Sequence, residues 1–137
     1  MADVVSRDDT FEVAVPIAKR DRARQIAYGV VLEPRAPSSP DLQGDWHDEA
    51  DVEKAAHRFM AHVAKGSGFG DLMHDDSTSA GYPVESFIAP VDFMLGDQPV
   101  RKGSWVMGMH YPDPDIWQGI VEGRFEAFSV GGYGRRV

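Results

Sequence analysis

Hydrophobic and polar residues alternate near the start of the chain and then give way to a continuously apolar run. The alternation is formed by Phe11, Val13, Val15 and Ile17. A period of two predicts a half-buried strand, and Pro16, which has no N–H to donate, indicates an edge or a strand end. Residues 19–24 are expected to form a charged connector. Residues 25–32 (QIAYGVVL) predict a second strand that is buried on both faces.

The middle of the chain changes to a helical spacing. Residues 33–46 are rich in Pro, Ser and Gly and predict a long loop. Apolar residues then recur three and four positions apart, which predicts a helix over residues 49–65 that Asp48 caps. Its apolar stripe consists of Val52, Ala55, Ala56, Phe59, Met60 and Val63. A second, short helix is expected after Asp113, with Pro114 in its first turn and Gly123 at its end.

The remaining apolar runs predict strands over residues 84–93, broken at Pro90, and over residues 104–111 and 124–130. Residues 96–103 are expected to form a turn, and Gly108 should leave room for a neighbouring group. This order predicts an α+β fold, with a mostly antiparallel β-sheet or a small β-barrel flanked by two helices. A length of 137 residues predicts a single domain over 1–137, with residues 1–10 flexible.

Composition narrows the classes of function. The formal net charge of -8 disfavours binding to nucleic-acid phosphates. The absence of cysteine removes disulfides and a thiol nucleophile. No apolar run approaches the length needed to span a membrane, and the first residues lack the pattern of a signal peptide. We therefore expect a cytoplasmic protein that needs no cofactor.

Two residues stand out as candidates for catalysis. Ser129 should share a strand face with Phe125 and Ala127, and two glycines follow it. Their small size allows close backbone approach, although no glycine precedes the serine as in a nucleophile elbow. His74 lies where a short apolar segment meets a polar turn, a position at which a scaffold can present a general base. Taken singly, each also fits an ordinary strand end or loop.

Metal binding is weakly supported. His57 and His62 are five residues apart and do not share one helix face as a metal pair would. Asp41 and Asp45 could supply oxygen ligands, but a hydrogen-bonded turn is the commoner structure for such a segment. We therefore predict no metal site, and we rank last a metal-dependent hydrolase built from His47, His57 and the loop over 41–45.

Four stretches together resemble the phage XkdF-type serine proteases, within the prohead protease group related to herpesvirus assemblin. The stretches are residues 28–34 with 41–45, residues 52–60, residues 72–75 leading to 84–90, and residues 103–108 running on to 123–132. Each is weak alone, but their order and spacing over residues 25–134 are fairly specific. The resemblance implies an assemblin-like or prohead-protease-like fold.

The resemblance also implies a Ser-His mechanism. Ser129 would be the nucleophile and His74 the general base. Backbone amides near Gly131 and Gly132, or Arg135, would stabilise the oxyanion.

A third, orienting residue usually lies on a strand after the serine in these proteases. This sequence ends at Val137, eight residues beyond Ser129, which predicts either a truncated domain or an orienting group upstream. The upstream candidates are Asp75, Asp76 and Glu85.

The leading hypothesis is therefore a serine endopeptidase that cleaves scaffold or capsid proteins during phage head assembly, in the host cytoplasm within the assembling procapsid. The related viral proteases suggest a homodimer, and no membrane partner is expected. The alternative is a catalytically inactive, protease-like interaction module of a larger phage protein.

Overall fold

The computed structural model describes residues 10–36, 38, 47–66 and 81–133. These residues form eight strands and two helices in the order β1, β2, β3, α1, β4, β5, β6, β7, α2, β8. The bounds are β1 Thr10–Pro16, β2 Lys19–Asp21, β3 Ile26–Leu32, α1 Glu49–Ala64, β4 Tyr82–Ile88, β5 Phe93–Leu95, β6 Gln98–Val100, β7 Trp105–His110, α2 Pro114–Val121 and β8 Ala127–Tyr133.

Both predicted helices are confirmed, together with their capping residues. The Asp48 carboxylate accepts a hydrogen bond from the Asp51 amide at 2.8 Å and so satisfies a free N–H at the start of α1. Asp113 does the same for α2, accepting from the Asp115 amide at 2.7 Å, with Pro114 as the first helical residue. Gly123, with φ of 85°, follows the end of α2 in a conformation that glycine tolerates.

The strands form three antiparallel sheets. β1 and β8 form a two-stranded ribbon, β2-β3-β7-β4 form a four-stranded sheet, and β5 and β6 form a hairpin. Helices beside antiparallel strands confirm the α+β prediction. The small β-barrel alternative is wrong for the described strands, because they belong to three separate sheets that do not close on themselves.

The main core lies on one face of the four-stranded sheet. Trp105 on β7 is 1% exposed and packs against Phe59 of α1, with ring centroids 5.7 Å apart. Its indole N–H donates to the Ser86 hydroxyl at 2.9 Å, so the buried ring keeps a polar partner. The inward side chains of α1, α2 and the ribbon share this core, which we call the first core: Val15, Ala27, Val31, Val52, Ala56, Phe59, Trp105, Met107, Met109, Trp117, Ile120, Phe128 and Val130.

The opposite face of the same sheet packs against the hairpin. This second core consists of Ile26, Tyr28, Ala89, Leu95, Val100 and Val106. Alternate residues of β3 therefore enter different cores, as Ala27 and Tyr28 do. This confirms the prediction that residues 25–32 form a strand buried on both faces.

Three short elements were not predicted. Residues 19–21 form β2 by pairing with β3, although their composition indicates only a charged connector. Residues 93–100 form the β5–β6 hairpin around a turn at Gly96, whose φ is 63°. Strands of three residues are too short to show a hydrophobic period, so main-chain pairing and tertiary packing determine them.

No helix of the described residues is long and apolar enough to cross a membrane.

Candidate active site

Ser129 lies in the middle of β8, on the face of the ribbon that points away from the first core. Its neighbours Phe128 and Val130 are 5% and 1% exposed and point into that core, whereas Ser129 and Ala127 are exposed. The alternation follows the strand period of two. The predicted alternation is confirmed from Ala127 to Val130, with Ser129 on the exposed face, whereas the two preceding residues of the predicted strand lie outside β8 and are both exposed.

Small residues surround Ser129 on this outer face. The ribbon register places Ala14 of β1 directly opposite Ser129, and both are exposed. Along β8, the residues two positions away on the same face are Ala127 and Gly131. None of these three has a side chain longer than a methyl group, so the ribbon leaves open space around the Ser129 hydroxyl.

The hydrogen-bond pattern of the ribbon determines where the Ser129 main chain points. The Ile17 N–H donates to the Glu126 carbonyl at 2.9 Å, one step beyond the last paired residues, Pro16 and Ala127. Hydrogen-bonded and non-hydrogen-bonded pairs alternate along an antiparallel ladder. Because Ile17 and Glu126 are a hydrogen-bonded pair, the alternation makes Ala14 and Ser129 a non-hydrogen-bonded pair. The Ser129 amide and carbonyl therefore point away from β1.

The edge of β8 that faces away from β1 is therefore supplied with main-chain donors and acceptors at Ser129. Within the described ranges, no further strand pairs with β8 at this edge. The same alternation directs the Gly131 amide to the open edge and the Gly132 amide toward Phe11 of β1. Of the two glycines predicted as oxyanion donors, Gly131 is the one whose N–H lies on the open side.

Several predicted site residues lie outside the described residues. These are His74, Asp75, Asp76 and Arg135. Their roles stay predictions.

Glu85 is described, and its carboxylate contacts Tyr28. The Tyr28 hydroxyl donates to Glu85 Oε2 at 3.0 Å across β7. Gly108 makes this reach possible, because a Cβ at that position would lie 2.8 Å from Tyr28 Cε1. Burial raises the pKa of Tyr28, and its hydrogen bond to the Glu85 carboxylate raises it further.

This contact places Glu85 on the face of the four-stranded sheet that carries the second core. Ser129 lies beyond the first core, on the other side of that sheet. The structure therefore does not bring Glu85 and Ser129 together. The described role of Glu85 is to join β4 to β3 through Tyr28.

No metal-binding group is formed by the described histidines and carboxylates, since no three of them come together. On α1, the His57 ring lies 3.9 Å from the Glu53 carboxylate in an exposed pair one helical turn apart. The His110 ring nitrogen Nδ1 lies 2.9 Å from the Arg24 carbonyl. The loop over residues 41–45 lies outside the described residues.

Sequence reasoning missed Ala14 as a member of the site. Its position opposite Ser129 depends on the pairing of the first strand with the last. The available signal was the alternation in β1, which places Ala14 on the polar face between Val13 and Val15. Local pattern could indicate this face but not its partner strand.

Comparisons with known proteins indicate the family to which this chain belongs. The family model described as "Putative phage serine protease XkdF" matches residues 12–137. The "Phage-like element PBSX protein XkdF" of Bacillus subtilis (strain 168) is 36% identical over 109 residues, which are 80% of this chain and 37% of that protein. The "Uncharacterized protein YqbD" of the same strain is 34% identical over 116 residues, 85% of this chain and 34% of that protein. No solved structure shows significant similarity.

The chain therefore belongs to the XkdF family of phage proteins, whose family description names a serine protease. This confirms the resemblance derived from the sequence. The chain spans about a third of the length of these two curated relatives.

Proposed function

We propose that this protein is a serine endopeptidase of phage head assembly that cleaves scaffold or capsid proteins. The observation that carries the proposal is the exposed Ser129 hydroxyl, which lies among small residues beside an open strand edge in a chain of the XkdF family. An exposed nucleophile at an edge with which no described strand pairs suits a substrate that binds as an extended strand.

In this mechanism Ser129 Oγ attacks the carbonyl carbon of the scissile peptide bond. His74 accepts the hydroxyl proton and then delivers it to the leaving amine, so that the acyl group stays on Ser129 until water releases it. The Gly131 N–H, which points to the open edge, is suited to donate to the oxyanion. Asp75 is the upstream candidate to orient His74.

Labelling by a serine-directed phosphonate tests this proposal. In the full-length protein, we expect the phosphonate to attach to Ser129, and Ser129→Ala or His74→Ala to abolish the labelling. His57→Ala is the matched histidine control, because His57 is exposed on α1 and its partner among the described residues is the exposed Glu53. Unlabelled Ser129 in folded, full-length protein would rule out the enzyme.

A non-catalytic module is the second candidate, and the open edge of β8 also supports it. A strand of a partner protein could pair with this edge without being cleaved. Incubation of the full-length protein with scaffold and capsid proteins distinguishes the two candidates. Ser129-dependent fragments support the protease, whereas stable binding of intact protein supports the module.

A further inference from the structure

We propose that Ala14 is a specificity-determining residue, which limits the size of the group that can lie beside the Ser129 hydroxyl. This inference rests on the proposed protease function. It assigns the N-terminal strand β1 a part in the site, although neither the sequence pattern nor the family description points to that strand.

The first step is the distance across the ribbon. Ala14 and Ser129 are directly opposite, and their pair is the non-hydrogen-bonded kind. Residues of such a pair approach most closely, with Cα atoms about 4.5 Å apart and side chains on the same face. Ala127 and Gly131 share this face at two residues along β8, which is about 6.6 Å away. Ala14 is therefore the nearest side chain to the hydroxyl across the ribbon.

The second step is that β1 cannot easily move aside. Val15, next to Ala14, is fully buried in the first core. The end of β1 lies directly on β3 at Gly29, where an added Cβ would overlap the Pro16 carbonyl oxygen and lie 2.6 Å from Val15 Cγ1. Val13, which precedes Ala14, also packs against the first core. Because β1 is packed on both sides of Ala14, a larger side chain at position 14 must project over the outer face.

The consequence concerns the substrate. A peptide carbonyl that reaches Ser129 Oγ must approach over the same outer face, because Phe128 and Val130 close the inner one. A larger residue at position 14 would then occupy space that the substrate needs. Misplacing a substrate by about 1 Å can cost roughly 100-fold in rate, so even an added isopropyl group should have a large effect.

A thiol in place of the nucleophile tests the geometry without relying on activity. The chain has no cysteine, so Ser129→Cys gives it a unique thiol. We expect a bulky maleimide to alkylate Ser129→Cys at least about tenfold more slowly when Ala14→Leu is also present, while the small reagent iodoacetamide slows much less. Ala61→Leu, at an exposed position of α1, is the matched control and should leave both rates unchanged. Equal rates with and without Ala14→Leu would overturn the inference.

A second measurement links the geometry to specificity. With the phosphonate, Ala14→Leu should lower the labelling rate of Ser129 at least about tenfold, and more for bulky than for compact phosphonates. Ala14→Val, a good strand residue, covers the case in which the leucine variant misfolds. If the unsubstituted protein is not labelled, the protease proposal fails. If it is labelled and neither position-14 variant changes the rate, the role of Ala14 alone fails.

Discussion

The two-stranded ribbon and the four-stranded sheet use the same strand alternation for different purposes. The central strands β3 and β7 of the sheet are buried on both faces, between the first and second cores. The ribbon buries only one face, so that Ser129 and Ala14 remain exposed on the other. Side chains in the sheet can therefore serve mainly stability, whereas the outer face of the ribbon is free to contact a substrate.

The contrast predicts its largest effect at Ser129. On the proposed function, Ser129→Ala should lower kcat/KM at least about 10⁴-fold, because the nucleophile is lost. The free energy of unfolding should change by less than about 0.5 kcal/mol, because Ser129 is exposed. Peptide cleavage and urea denaturation measure the two quantities. A loss of stability comparable to that of a core variant would contradict the assignment of Ser129 to an open face.

Phe128, which precedes Ser129 on β8, should affect stability strongly, in contrast to Ser129. Phe128 belongs to the buried face of the same strand, and Phe128→Ala should lower the free energy of unfolding by about 3–5 kcal/mol. Urea denaturation of the variant provides the measurement, with Ala127→Gly at the exposed position before it as the control for altering β8. A change below about 1 kcal/mol would mean that the ribbon is not anchored to the first core.

Alkaline pH should lower the stability of the protein by an intermediate amount, through a tyrosine beside the four-stranded sheet. Tyr111 follows β7, and burial raises its pKa to about 12 from the ordinary 10.0. The folded protein therefore keeps the proton in the pH range where the unfolded chain loses it. The stability that this raised pKa contributes is fully present below pH 10. It is lost between pH 10 and 12, which lowers the free energy of unfolding by up to about 2–3 kcal/mol.

Thermal unfolding across this range measures the effect, with Tyr111→Phe as the matched variant. Phenylalanine keeps the ring that fills the space beside Gly81 but has no proton to lose. The variant should lose less stability between pH 10 and 12 than the unsubstituted protein. Parallel pH profiles would show that the Tyr111 hydroxyl is not responsible.

The smallest predicted effect is that of substituting a second serine, Ser86, which can be compared directly with Ser129. Ser86 on β4 accepts the hydrogen bond of the buried Trp105 indole, so Ser86→Ala should cost about 1–2 kcal/mol of stability. It should leave the cleavage rate unchanged, because Ser86 belongs to the sheet and not to the ribbon. The same substitution in the two regions therefore separates stability from activity. Equal effects of Ser86→Ala and Ser129→Ala on the cleavage rate would remove the distinction.

Long elements with clear periods were predictable from local sequence. The helix over 49–65 and the strand β1 follow apolar spacings that only one type of element satisfies, whereas β3 and β7 were predicted from short apolar runs. The short strands β2, β5 and β6 were missed because three residues carry no usable period. β8 continues through Gly131 and Gly132 because β1 pairs with them, although their composition indicates a strand end.

The site divides in the same way. The alternation of β8 was predicted and puts Ala127 and Ser129 on one face, but the local pattern did not indicate that this face is the exposed one. Glu85 was a candidate because it follows His74 closely along the chain, but closeness in sequence does not indicate which face of a sheet a residue occupies. Its partner Tyr28 lies 57 residues away, and only the folded sheet brings them together.

The amino-acid sequence by itself determined the α+β class, the two capped helices, the XkdF-family resemblance and the strand face that Ser129 shares with Ala127. These properties depend on local spacing, capping residues and motif order. The tertiary structure alone decided that Ala14 faces Ser129, that the edge of β8 beside it is unpaired in the described part of the chain, and that Glu85 joins a different face. Pairing between strands more than 100 residues apart depends on how the whole chain buries its apolar surface, and no local pattern encodes that register.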